Sequence, residues 1–114
     1  MTEPKLKPEV KEKWLEALRS GLYQQTISFL HTKKGFCCLG VLCDISKQGE
    51  WKSSSIFELY YFGSTESRTM PPTDVLEWAF QDSDFHEPTI IELAEMNDNG
   101  KSFEQIADHI EKNL

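Results

Sequence analysis

Long apolar runs are missing from this sequence. Nothing in it approaches the roughly 20 consecutive apolar residues that span a bilayer. The opening Met1-Thr2-Glu3-Pro4-Lys5 is not followed by the apolar core of a secretory leader. A cytoplasmic protein is expected. Cysteine is scarce too: there are three in 114 residues, two of them adjacent, with no Cys-x-x-Cys pair. An odd, clustered set argues against a disulfide framework in a reducing compartment. His31, His86 and His109 are scattered, so the ligand spacing of a structural zinc site is missing as well. No metal and no other cofactor is expected.

Basic residues run short in the second half. Residues 1–57 carry nine Lys/Arg against six Asp/Glu, a balance of +3. Residues 58–114 carry three against thirteen, a balance of −10, and the two halves sum to the net −7 of the chain. A basic side and an acidic side of the molecule are expected. Overall acidity argues against direct duplex-DNA binding, which needs a basic footprint. It leaves room for mimicry of nucleic acid, or for steering onto a basic partner.

What is present is an ordinary globular composition, 39% apolar and 27% charged. The length suits a single domain over 1–114, with 1–7 as a flexible lead. Pro8 suits a first helical turn, Val10, Trp14, Ala17 and Leu18 share a face, and Gly21 suits the position after the last turn. These residues predict a helix over 8–20. Ile27 and Phe29 alternate with Thr26, Ser28 and Leu30, which predicts a strand over 22–32. A helix follows over 37–48, closed by Gly49. Residues 52–55 read as a polar loop, 56–62 as an aromatic second strand, and 63–69 as a turn or loop. A short helix is predicted over 73–80 and an acidic loop over 81–87.

Thr89 and Glu92 have capping-box spacing for a helix over 90–96, and Ser102 and Gln105 have it for the last helix, 102–114. Phe103, Ile106, Ala107, Ile110 and Leu114 form its apolar stripe. The fold class is therefore α+β: a small single domain of four to five helices, a short two-stranded antiparallel sheet and a C-terminal αα-hairpin. Asn97-Asp98-Asn99-Gly100 reads as a turn between the hairpin helices. As a calcium loop it fails, because Ile106 stands where the bidentate Glu would be.

The chain is organised around Gly35-Phe36-Cys37-Cys38-Leu39-Gly40-Val41-Leu42-Cys43-Asp44-Ile45, which holds every cysteine and the densest apolar run. On a helical projection Cys38, Leu39, Val41, Leu42, Cys43 and Ile45 make one broad apolar face. Cys37, Gly40, Asp44 and Lys47 fall opposite. Glycine costs a helix interior about 1 kcal/mol against alanine. Gly40 therefore marks close packing of another backbone, or room for a ligand beside Cys37 and Asp44. A helix N-terminus entered through His31-Thr32-Lys33-Lys34-Gly35 offers free N–H groups, a positive dipole end and lysine charge to an anion. The phosphate-loop pattern GxxxxGK[ST] is missing. Cys37, on the polar face at that terminus, would have a lowered thiol pKa. The ligand-binding candidates are Lys33, Lys34, Gly35, Cys37, Gly40 and Asp44, with Arg19 as a further cation and Tyr23 or Tyr61 to stack a base. Phe57, Tyr60, Tyr61, Phe62, Trp78 and Phe80 are core residues or a stacking platform.

Three phrases carry a resemblance. They are Trp14-Leu15-Glu16-Ala17-Leu18-Arg19-Ser20-Gly21-Leu22-Tyr23-Gln24-Gln25, then Gly35-Phe36-Cys37-Cys38-Leu39-Gly40-Val41-Leu42-Cys43-Asp44, then Leu93-Ala94-Glu95-Met96-Asn97-Asp98-Asn99-Gly100-Lys101-Ser102-Phe103. In order and spacing they resemble a family of small uncharacterised proteins of tailed phages and prophages. Leu22 replaces a basic residue of that pattern, and Thr26-Ile27 a glycine-containing stretch. The resemblance implies a phage context, hence a host cytoplasm, and no named activity.

The leading expectation is an accessory protein that acts by binding a small anionic, nucleotide-like ligand, in counter-defence. The alternative is an acidic inhibitor or nucleic-acid mimic that engages a host protein through Asp82, Asp84, Glu87, Glu92 and Glu95. A small thiol-dependent enzyme built on Cys37 is the third reading. A homodimer with a shared pocket is compatible with the size and aromatic content.

Overall fold

A computed structural model describes residues 6–53, 57–62, 65–67, 69–80 and 87–114. The fold is α+β. Among the described residues there are five helices: α1 (Pro8–Arg19), α2 (Cys38–Ser46), α3 (Thr73–Ala79), α4 (Glu87–Asp98) and α5 (Phe103–Asn113). Five short strands accompany them: β1 (His31–Thr32), β2 (Gly35–Phe36), β3 (Glu50–Ser53), β4 (Phe57–Phe62) and β5 (Thr65–Ser67). The expected α4–α5 pair closes the C-terminal side.

The helices begin and end where local chemistry says they should. Pro8 opens α1, and Gly21 at φ +79° takes the left-handed position after it. Ser102 and Gln105 form a complete capping box for α5, each side chain accepting from the other's backbone N–H. Thr89 is not the residue before the helix, because α4 starts at Glu87 and Thr89 lies within it.

The sheet is antiparallel, and the two segments expected to pair do so at their ends, His31 against Glu58 and Thr32 against Phe57. β4 is its spine. β3 runs along one edge of β4, while β1 and β5 share the other. Lys52 and Ser53, expected in a loop, belong to β3, and β5 falls inside the expected 63–69 turn.

The expected strand over 22–32 is a correction: only His31–Thr32 is strand. Upstream of it Ser28 takes φ +74°, which a strand residue cannot, and its N–H bonds the Asp98 carboxylate. Gln24 and Thr26 instead clasp Phe36 through backbone bonds of 2.8 and 2.9 Å.

The core centres on α2. Every residue from Cys38 to Cys43 is buried, Gly40 included. Around it, in one buried cluster, lie Val10, Trp14 and Leu18 of α1, Val75 of α3 and Leu93 of α4, and Ile106 and Ile110 of α5 join the cluster where α5 packs on α1 and α4. Trp14 donates from Nε1 to the Cys38 carbonyl at 3.0 Å, so a buried indole N–H is satisfied by the helix it packs on. Residues 1–5 of the expected flexible lead lie outside the described residues. Leu6 and Lys7 are pinned: Leu6 N–H donates to Leu114 O, and Lys7 N–H to Ala79 O. Among the described residues no helix is long and apolar enough to cross a membrane.

Candidate functional site

The N-terminal end of α2, the expected anion site, is sealed. Cys37 is its N-cap and only 5% exposed, so it does not sit on a polar face. Its Sγ accepts from Gly40 N–H at 3.3 Å. Asn97, fully buried at 0% exposure, covers the next donor: its Oδ1 accepts from Cys38 N–H at 3.2 Å. The same oxygen accepts from Gln25 Nε2, and Nδ2 donates to Thr26 O at 2.7 Å. N–H groups that would have held an anion are thus spent on side chains of the protein itself.

Gly40 is explained by packing. A Cβ there would run into the Leu30 carbonyl oxygen, so this position holds no room for a ligand. Gly35 is likewise pressed against Gln24 O. Burial pushes the Cys37 thiol up to about 11, the reverse of the lowering expected at an open helix end. Cys38 and Cys43 are also pushed up, for the same reason. All three thiols are free and buried, which removes the physical basis of the thiol-enzyme reading.

The remaining expected cations are elsewhere. Lys33 and Lys34 form the exposed two-residue turn between β1 and β2. Arg19 lies at the α1–α5 seam, where Nη2 meets Asp108 at 2.8 Å and Glu111 at 3.0 Å. That contact sets a cation from the first half of the chain against carboxylates from the second, so the charge imbalance of the two sequence halves is partly cancelled at the seam. Of the acidic candidates, Glu92 is engaged by His109 Nε2 at 2.9 Å and Glu95 is exposed. Asp82 and Asp84 lie outside the described residues, as does the Glu87 side chain.

Two expected residues do come together, and they do so at the other end of α2. The Tyr23 hydroxyl donates to Asp44 Oδ2 at 2.5 Å, and Trp51 Nε1 donates to Oδ1 at 3.1 Å. The pair of neutral donors fixes the carboxylate in place. Burial, with the hydrogen bond to Asp44 second, raises the Tyr23 pKa, so this hydroxyl stays a donor.

A ring cluster backs up the clamp. Tyr23 meets Phe36 edge-on at 5.1 Å, and Phe36 stacks on His31 at 3.7 Å. Trp51 stands edge-on to both, at 5.7 Å from Phe36 and 5.0 Å from His31. The His31 Nδ1 sits 2.7 Å from Gly35 O; a carbonyl can only accept, so that nitrogen carries the proton. The side chains of Phe57, Tyr60, Tyr61 and Phe62 lie outside the described residues. Phe80 is core, at 1% exposure.

Tyr23 and Asp44 open onto a groove of about 500 Å³ between α1, the turn after it, the end of α2 and α3. Lys13 and Glu16 come from α1, Lys47 from the left-handed C-cap of α2, and Trp78 from α3. Tyr23 and Asp44 were expected as site residues and Trp78 as core or stacking platform, whereas Lys13, Glu16 and Lys47 were not expected at a site. A signal existed: Lys13, Glu16, Ala17 and Ser20 are helically spaced and fall on one side of α1. Chemically the groove offers two cations, two carboxylates, a phenol hydroxyl and a half-buried indole. Among the described residues no group of His, Cys, Asp and Glu has the arrangement to hold a metal ion.

Residues 6–114 match a family described as a domain of unknown function, DUF8296, and the chain belongs to that family. No curated protein and no solved structure matches it.

Proposed function

We propose that this DUF8296 member is a non-enzymatic binder of a small anionic, nucleotide-like ligand, taken up in the α1–α2–α3 groove. The observation that carries the reading is the meeting there of Lys13, Lys47, Trp78 and the Tyr23–Asp44 pair. Lysine ammonium groups supply charge for phosphate, and an indole face stacks a base at about 1–3 kcal/mol. The fixed carboxylate supplies a polar contact for orientation. Its biological setting, in this reading, is that of a phage or prophage accessory protein in a host cytoplasm, with sequestration of the ligand serving counter-defence. The buried thiols favour binding over catalysis, since none is placed to act as a nucleophile.

The test is a thermal-shift screen against cyclic and linear nucleotides. A ligand at a hundred times its Kd adds about 2.7 kcal/mol of stability, which is several degrees for a domain of this size. Lys13→Ala combined with Lys47→Asn should abolish the shift and leave the unliganded midpoint in place. Asparagine is chosen because it tolerates the left-handed backbone of Lys47, φ +55°. A shift that survives both substitutions would sink the proposal.

A further inference from the structure

Of the two carboxylates that line the groove among the described residues, Asp44 is the one held in a fixed pose. Tyr23 Oη and Trp51 Nε1 each occupy one of its oxygens, at 2.5 and 3.1 Å, and both are neutral donors. Glu16, the other carboxylate, sits on the exposed side of α1. A carboxylate has about four acceptor sites, so one donor on each oxygen leaves acceptor capacity on both. Two adjacent acceptors with that capacity match two adjacent donors.

Among the nucleobases, guanine presents such a pair on its pairing edge, N1–H beside the 2-amino group. Adenine presents its N1 lone pair at the corresponding place, and a carboxylate repels it. Bidentate recognition of this kind adds geometric selectivity as well as affinity. We infer that the nucleotide taken by this groove is a guanine nucleotide, with Asp44 accepting from N1–H and the 2-amino group. Tyr23 and Trp51 are positioning residues that hold the carboxylate in register, and Lys13 and Lys47 take the phosphate end. The inference rests on the nucleotide reading above and narrows it to one base.

The experiment is calorimetric titration of the full chain with guanosine, inosine and adenosine 5′-monophosphates and with the cyclic guanosine and adenosine monophosphates. The guanine forms should bind about tenfold or more tighter than the adenine forms. Inosine monophosphate, which keeps N1–H and lacks the 2-amino group, should fall between. Equal or tighter binding of the adenine forms, lost in the Lys13→Ala, Lys47→Asn protein, overturns the guanine inference and leaves the nucleotide reading standing. Binding of neither base class overturns both.

Two variants add a check that does not depend on the ligand series alone. Asp44→Asn should bring the guanine-to-adenine affinity ratio toward one. Tyr23→Phe should weaken guanine binding while leaving adenine binding unchanged, which a merely structural loss would not do. A ratio preserved in both variants, with the unliganded melting midpoint unchanged, assigns base selection elsewhere and overturns the role of Asp44.

Discussion

The two ends of α2 are built from neighbouring residues of one nine-residue helix, yet they have opposite character. At the N-terminal end, the Cys38 N–H goes to Asn97, the Gly40 N–H goes to Cys37, and all of Cys38–Cys43 is buried. At the C-terminal end, Asp44, Ile45 and Ser46 are half-buried, Lys47 is exposed, and the side chains face a groove of about 500 Å³. A helix N-terminus favours anions only while its N–H groups are free and wet. Here burial and internal caps have spent them, so the protein's polar chemistry has moved to the end where side chains still reach solvent. The helix dipole argues for one end, and the accounting of donors decides for the other.

That contrast is broken most severely at Gly40. An added methyl there meets the Leu30 carbonyl oxygen, which is backbone and cannot swing aside. Gly40→Ala should cost about 3 kcal/mol, at the upper end of overpacking effects. Urea unfolding should show the midpoint falling steeply. A near-neutral Gly40→Ala would mean that the sealed end has slack, and would reopen the ligand explanation of this glycine.

Asn97→Ala comes next. It strips the partner from the Cys38 N–H and from the Thr26 carbonyl, both joined to a side chain with 0% exposure. An unsatisfied buried group costs about 1–3 kcal/mol, and partial rearrangement should hold the total near 2–3 kcal/mol. Hydrogen exchange should report faster exchange at Cys38 than in the second half of α2. Protection unchanged at Cys38 would show that its cap lies elsewhere.

The helices were legible because their signals are local. Pro8 and Gly21 bracket α1, Ser102 and Gln105 cap α5, and the apolar stripes recur at helical spacing. The 22–32 segment was not, because its conformation is set from far along the chain: Ser28 is held by Asp98, 70 residues away, and Thr26 by Asn97, 71 away. Periodicity also misplaced the polar face of α2. Cys37 and Gly40 project opposite the apolar residues, and the Leu30 backbone covers that side as well. Tyr23 and Asp44 were each visible as candidates, but their meeting was not. Lys13 looked like an ordinary solvated lysine, and Trp78 like a core residue or a stacking platform without a place, until three helices set them around one groove.

The titration of Cys37, seen only at high pH, gives the effect whose sign separates a sealed end from an open one. The Cys37 thiol rises from an ordinary 9.0 to about 11 in the folded protein. Between those values the folded chain holds a proton that the unfolded chain has released. Stability is therefore fully present below pH 9 and falls as pH rises toward 11. Two pH units correspond to about 2–3 kcal/mol. Cys38 and Cys43, also raised, lose stability in the same direction, so the Cys37 share is read by difference. Cys37→Ser keeps an N-cap for Gly40 N–H and cannot titrate in this range. Thermal melts should therefore show the wild type losing more stability from pH 9 to 11 than Cys37→Ser loses. An open helix end would lower the thiol pKa and add stability to the wild type above that lowered value. A wild type that gains on the serine variant as pH rises through neutrality would thus overturn the sealed end. Labelling by a thiol reagent at neutral pH should agree, proceeding only as fast as the protein opens.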